Sequence, residues 1–158
     1  MSLLEFCRWL QYSGPLHAMR DSPIFFPIVA TIHLMGLALI GGSVLVVDLR
    51  MLGWALPGQS VASLAQDAER WLLRGLGVMI TTGILLFMCF ATKYYYLTFF
   101  WVKMGALVAV IIFTWSVRRR VAMAGEADVR PITRKLVALV SIVLWTTVAV
   151  GGRYIGFP

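Results

Sequence analysis

A single histidine, His33, lies inside a long apolar stretch of the chain. The stretch runs from Ile24 to Val47, and His33 is its only ionisable residue. An apolar run of this length predicts a membrane-spanning helix. An ionisable side chain inside such a helix is costly to leave without a partner, and it often marks a functional site. His33 is therefore the first candidate functional residue.

Several charged residues fall inside or at the ends of the apolar runs. Lys103 interrupts the third run and Arg153 closes the fourth. Counting residues from the ends of each run, at about 1.5 Å per residue, places both in the same half of the bundle as His33. Asp48 and Arg74 fall in the other half. We expect Asp48 and Arg74 to form a structural ion pair between the first and second spans, and the alternative is that they serve a proton or substrate relay.

The residues leave two interpretations of His33 open. In the first, His33 is a core histidine that is hydrogen-bonded to a threonine or a carbonyl of a neighbouring helix. Thr81 and Thr82 lie at a matching depth in the second span. In the second interpretation, the neutral imidazole is an axial ligand of heme b, because helical bundles hold hemes between facing helices.

The heme interpretation also accounts for the charges near His33. A heme has a flat face that needs small residues beside it and two propionates that need cations. The first span offers Gly36, Gly41 and Gly42 as a small-residue side. Lys103 and Arg153 would hold the propionates. This interpretation uses every charge in that half of the bundle.

The second axial position of such a heme is open. His17 is the only other histidine of the chain, and it would have to fold down from the connector before the first span. Met79, Met35, Lys103 or an empty position are the other options. Two histidines permit at most one heme with two histidine ligands per chain, which excludes a two-heme cytochrome b as a monomer.

The composition indicates an all-α integral membrane protein. The chain has 158 residues, of which 60% are hydrophobic, and its mean hydropathy is +0.85, whereas soluble domains are about 45–50% apolar. We expect one domain, a four-helix bundle with an amphipathic helix at the membrane surface before it. The predicted parts are an interfacial helix and connector over 1–22 and spans over about 24–50, 71–92, 99–117 and 133–153.

The basic residues predict how the chain lies in the membrane. The net charge is +7, which we attribute to contact with anionic headgroups and not to nucleic acid. One side of the predicted bundle holds Arg50, Arg70, Arg74, Arg118, Arg119, Arg120, Arg130, Arg134 and Lys135, and the other holds Arg8, Arg20, Lys93 and Arg153. The richer side is expected to be cytoplasmic. We therefore expect a multi-pass protein of a bacterial inner membrane with both termini in the periplasm.

Several short motifs over nearly the whole chain carry a resemblance to known families. They are His33-Leu34-Met35-Gly36, Gly41-Gly42-Ser43, Asp48-Leu49-Arg50-Met51-Leu52-Gly53, Thr82-Gly83, Lys103, Trp145 and Gly152-Arg153. With these, the chain resembles an uncharacterised bacterial four-helix membrane family. It is more distantly similar to the copper-resistance D-type proteins and to the four-helix membrane protoporphyrinogen oxidase. The latter resemblance implies that His33 ligates heme b and that Lys103 is functionally required.

The sequence predicts a function without identifying a reaction. It contains no P-loop, no HExxH motif and no Ser-His-Asp arrangement. Our leading hypothesis is an inner-membrane protein that binds one heme b through His33 and serves electron transfer within a larger redox assembly. The first alternative is a non-catalytic subunit, held to other membrane subunits or to a second copy, in which His33 is structural. The second is a small transporter or copper-handling protein, which needs a polar path from the polar residues around His33 to Asp48 and Arg74.

Overall fold

The computed structural model describes residues 3–12, 20–124 and 128–155, and these residues are mostly helical. The helices are α1 (Leu3–Tyr12), α2 (Phe25–Leu52), α3 (Val61–Cys89), α4 (Ala91–Tyr96), α5 (Thr98–Phe113), α6 (Arg119–Met123) and α7 (Pro131–Ile155). A π-helical turn, Thr114–Arg118, joins α5 to α6. The segment Thr98–Met123 is therefore one long, locally widened helix.

Four helices are long and apolar enough to cross a membrane, as the sequence predicts. They are Phe25–Leu52, Val61–Cys89, Thr98–Met123 and Pro131–Ile155, with 28, 29, 26 and 25 residues. About 20 apolar residues suffice to cross the hydrocarbon core, so each helix extends beyond it. The predicted boundaries are too short mainly because polar residues outside the hydrocarbon core remain helical. The segment before Trp71 and the arginines after Val117 both continue their helices.

Local sequence sets the ends of the first two spanning helices. Gly53 ends α2 with a left-handed backbone (φ +84°), and its N–H bonds to the Arg50 carbonyl. Trp54 N–H bonds to the Leu49 carbonyl at 3.0 Å, which completes the glycine-dependent helix stop. Ser60 starts α3, because its hydroxyl accepts a hydrogen bond from the Ser63 N–H at 3.1 Å.

Helix α2 packs on both α3 and α7, and α5 packs on α7. Glycines allow the closest approach between α2 and α3: a Cβ added to Gly75 would lie 3.2 Å from the Gly36 carbonyl oxygen. Within the described residues, α3 and α5 make little direct contact along their lengths. We call the end of the bundle where α2 begins the His33 end and the opposite end the Asp48 end.

Two clusters of apolar side chains form the core. One lies near the Asp48 end, around Val47, Met51 and Ala138. The other lies in the middle of the bundle, around Ile40 and Val110. Many large apolar side chains on the outer surfaces of the spanning helices are exposed. These surfaces suit contact with the lipid bilayer.

Helix α1 lies at the His33 end, where it packs mainly on α4. Cys7 is buried on the packed side, whereas Phe6 and Trp9 are exposed. The predicted amphipathic helix is therefore present, and it keeps part of its apolar face free of the bundle. Rings at this end stack on one another, with Phe87 and Tyr94 both stacked on Phe100.

Candidate cofactor site around His33

The imidazole of His33 is held by a threonine of the neighbouring helix. His33 lies on the packed side of α2 and is half-buried. Its Nδ1 is 2.9 Å from Thr82 Oγ1 on α3. The Thr82 hydroxyl donates its proton to the Val78 carbonyl at 2.6 Å. Because Thr82 has only one proton to give, its oxygen must accept a hydrogen bond from His33 Nδ1–H.

This arrangement assigns the protonation of the ring. Nδ1 carries the proton, since the Thr82 oxygen that faces it acts as the acceptor. Nε2 of a neutral ring then keeps its lone pair, and Nε2 has no hydrogen-bond partner among the described residues. Proteins use the same arrangement to orient histidines that ligate metals: one ring nitrogen donates a hydrogen bond to an oxygen, and the other is available to the metal.

Glycine leaves room beside the ring. A Cβ added to Gly83 would lie 3.3 Å from His33 Cε1, which is tighter than ordinary van der Waals contact.

The sequence places Thr81 and Thr82 at the right depth without choosing between them. The structure chooses Thr82, which is buried, whereas Thr81 points outward and is exposed.

Lys103 lies close to His33, as the residue count predicts. Its side chain is half-buried and rests on glycines of α7. Lys103 Cβ is 3.4 Å from a Cβ added to Gly151, and its Nζ is 3.3 Å from one added to Gly152. The ammonium is near enough for its charge to act on the His33 ring. Among the described residues, no carboxylate forms a salt bridge with Lys103.

The remaining predicted site residues have different outcomes. Arg153 is exposed near the end of α7, one residue beyond the glycine that Lys103 contacts. His17 lies outside the described residues. Met35 is 67% exposed on the outward side of α2, whereas Met79 is buried in the core beside Thr82. Met35 is therefore poorly placed as a second ligand of the same iron.

The predicted ion pair between Asp48 and Arg74 is wrong. Asp48 is fully buried, and its Oδ1 accepts a hydrogen bond from Arg118 Nε at 2.8 Å. Arg74 instead lies on the exposed side of α3, with its guanidinium 4.9 Å from the centre of the Trp71 ring. A cation above an indole face is favourable without any carboxylate.

Sequence reasoning missed Arg118 because it begins a run of three arginines that also ends an apolar segment. The predicted third span ends at Val117, so the run falls outside it, whereas in the structure Arg118 is the last residue of the π-helical turn and is only 6% exposed. Its terminal nitrogen also donates to the Val44 carbonyl at 3.2 Å. One signal was available, since Asp48 and Arg118 both lie at the same end of their spans.

Metal coordination by several side chains is not found in the described part of the chain. No group of three or more His, Cys, Asp or Glu residues lies close enough together there to hold a metal ion. The donor set near His33 is one imidazole nitrogen with a neighbouring cation.

Comparisons with known proteins identify a family for this chain but no individual protein that is similar to it. No curated protein and no solved structure matches the chain. The resemblances to copper-resistance D-type proteins and to the membrane protoporphyrinogen oxidase therefore gain no support from them. A family model matches residues 14–158, which include all four spanning helices. The chain belongs to this family, which is described as a family of unknown function (DUF6644).

Proposed function

We propose that this protein binds one heme b through His33 Nε2 and serves electron transfer in the membrane. The hydrogen bond from His33 Nδ1–H to Thr82 is the observation that carries the proposal. It leaves Nε2 unprotonated and fixes the plane of the ring, and both are what an axial ligand requires. When bound, a heme supplies one-electron iron chemistry to the protein that holds it.

The residues around His33 fit such a group in three respects. The donor is a half-buried neutral imidazole inside a spanning helix. Gly83 lies beside the ring where a larger residue would press on it. Helices α3 and α5 make little direct contact, so one side of the bundle is loosely closed, and a flat ligand needs such a gap between helices.

Lys103 supports an anionic ligand. An unpaired lysine inside a spanning helix costs about 2.5–3.5 kcal/mol on insertion scales, and Lys103 lacks a salt bridge among the described residues. A propionate near its ammonium would offset that cost. Arg153, which is exposed at the same end, is the second cation that we assign to the propionates.

Heme titration of the purified protein and of single variants tests the proposal. We expect His33→Ala to abolish the Soret band that saturable binding produces, because the proposed ligand is lost. Met35→Ala is the matched control, since Met35 is exposed two residues away on the same helix, and it should bind heme like the wild type. His17→Ala tests the second axial position. Normal heme binding by His33→Ala would refute the proposed ligand.

The membrane that holds the protein and the orientation of the chain in it are also part of the proposal. We place the protein in a bacterial inner membrane, with its Asp48 end in the cytoplasm and both termini in the periplasm, because basic residues are concentrated at the Asp48 end. Other membrane subunits or a second copy would then exchange electrons with it. A membrane-impermeant thiol reagent added to intact cells should label Tyr96→Cys and leave Gln59→Cys unlabelled. The reverse labelling would overturn the orientation.

A further inference from the structure

A second buried polar cluster lies at the Asp48 end, apart from the proposed heme site. Asp48 and His33 are separated by about 22 Å along α2 at 1.5 Å per residue. The cluster joins α2, the π-helical turn and α7. It consists of the Asp48–Arg118 ion pair, the Thr114 hydroxyl and the Ser141 hydroxyl, which lies beside the Asp48 carboxylate.

Three oxygen atoms of this cluster are buried without a hydrogen-bond partner among the described residues. They are Asp48 Oδ2, Thr114 Oγ1 and Ser141 Oγ. Other hydroxyls on the spanning helices are satisfied by the carbonyl four residues earlier, as in Thr31, Ser43, Ser116 and Thr147. The Ser141 hydroxyl lies beside the Asp48 carboxylate and can turn its proton towards it. Thr114 Oγ1 has no such neighbour among the described residues, and a buried polar group without a partner is costly, so Thr114 marks the place for a polar ligand.

A cleft between α2, α3 and the widened helix reaches two members of this cluster, Thr114 and Arg118, whereas Asp48 and Ser141 do not line it. Its volume is about 30 Å³, and Thr114 and Arg118 line it. A cavity needs roughly 10–15 Å³ to hold one water molecule, so the cleft has room for about two. Glu69 and Arg119 also line it and form a partly exposed ion pair of 2.9 Å. Water can therefore approach Arg118, one partner of the buried pair, past charged side chains.

We propose that Asp48 is a proton-binding site that exchanges protons with water in this cleft through Thr114 and Arg118, the two cluster members that line it. A proton carried by water passes the Thr114 hydroxyl and the Arg118 guanidinium and binds Asp48 Oδ2, while Oδ1 keeps its hydrogen bond to Arg118 Nε. No electron is transferred, and the charge of the pair changes from neutral to +1. This inference goes beyond the proposed function and does not require a bound heme.

Charged side chains on each of the helices near Asp48 set the electrostatic environment of the proposed proton site. Arg118 is the nearest and belongs to the π-helical turn. Arg134 lies about two turns before Ser141 on α7, and Arg50 follows Asp48 on α2, where it bonds to the Gln59 carbonyl at 2.7 Å. On α3 the acidic group of the cleft is Glu69. Only Arg118 forms a salt bridge with Asp48 in the described residues.

Infrared difference spectroscopy of the heme-free protein in lipid tests the proposal. We expect acidification to produce, beside the bands of the exposed carboxylic acids, a separate carbonyl band of a buried carboxylic acid that shifts in D₂O and is absent in Asp48→Asn. Ser141→Ala should shift the band, because the hydroxyl lies beside the carboxyl. Thr114→Val should slow its appearance several-fold after a pH jump, because the relay loses a hydroxyl.

Two lipid-facing hydroxyls provide matched controls for these variants. Ser116→Ala, on the same turn as Thr114, and Thr147→Val, on the same helix as Ser141, should leave the band and its rate unchanged, since both residues are exposed. If Asp48→Asn cannot be purified, the shift in Ser141→Ala identifies the band. The absence of any acid-dependent band assignable to Asp48 would leave the pair purely structural and overturn the proposal. A Thr114→Val rate equal to that of Ser116→Ala would overturn the relay.

Discussion

At the scale of single residues, one hydroxyl group decides what His33 can do. Thr82 gives its proton to its own helix and thereby leaves the ring nitrogen Nδ1 as the donor. The first interpretation of His33, a histidine bonded to a neighbouring threonine, and the second, an axial ligand, are therefore compatible. The threonine holds one nitrogen, and the other remains available.

The adjacent threonines provide a test of this role. Thr82→Val keeps the shape of the side chain but removes the acceptor for His33 Nδ1–H. We therefore expect the affinity for heme to fall by at least about 10-fold, within the range known for residues that orient metal ligands. Thr81 is exposed, and Thr81→Val should bind within about 2-fold of the wild type, because surface changes are usually small. Heme titration measures both. Equal affinities of the two variants would contradict the role of Thr82.

At the scale of helices, α2 and α3 depend on glycine for their close packing. A Cβ at Gly75 would lie 2.8 Å from Ile40 Cγ1 and 3.2 Å from two backbone atoms, the Gly36 oxygen and the Ile40 nitrogen. A side-chain end can move aside, but a helix backbone cannot move without separating the helices. This contact lies between His33 and Asp48 on α2, so it sets the spacing on which both polar sites depend.

Alanine substitutions at two glycines of α3 test this packing. We expect Gly75→Ala to lower the free energy of unfolding in detergent by about 1–3 kcal/mol, because overpacking strains a closed contact. A Cβ at Gly77 would meet nothing within 4 Å, so Gly77→Ala should be neutral or slightly stabilising, since alanine favours helix. An equal loss of stability in both variants would mean that the α2–α3 contact is looser than described.

The π-helical turn is the second element with a defined role. It brings the side chain of Arg118 inside the bundle, where it meets Asp48. Widened turns of this kind often occur at functional sites. A buried ion pair is costly to break because the remaining charge is left alone, whereas replacing both partners costs far less.

A double-mutant cycle measures this pair. Asp48→Asn and Arg118→Met should each lower the free energy of unfolding by about 3–5 kcal/mol, and the double variant should lose less than the sum. The Glu69–Arg119 pair is the control, since it is partly exposed and should contribute about 0–1 kcal/mol. Additive losses at Asp48 and Arg118 would contradict a coupled buried pair.

At the scale of the whole molecule, the pattern of apolar runs is sufficient to predict four spanning helices. It is sufficient because hydrocarbon has no partner for backbone groups, so long apolar segments must be helical. Counting depth from the ends of the runs also brings His33 near Lys103, as the structure shows. Depth depends only on the rise per residue, which varies little among helices.

Which side chains point into the bundle is harder to predict from the sequence. Depth alone could not choose Thr82 over Thr81, because the choice depends on how α3 is rotated towards α2. Arg118 was missed because a local widening of the helix changes which side chains point inward, and the apolar pattern does not record it. Counted from the ends of the apolar runs, Arg74 and Arg118 both fit the depth of Asp48. In the structure Gly75 packs on Ile40, so Arg74 lies about two turns from Asp48 along the bundle, whereas Arg118 meets it.

The absorption spectrum of the detergent-purified protein tests the central claim most directly. Cells that express the chain with an ample heme supply should yield protein with about one heme b per chain. Its Soret band should shift when the heme iron is reduced, as it does in other histidine-ligated hemes. Correctly folded protein that shows no Soret band in either oxidation state, even after addition of heme, would contradict the claim that His33 is a heme ligand.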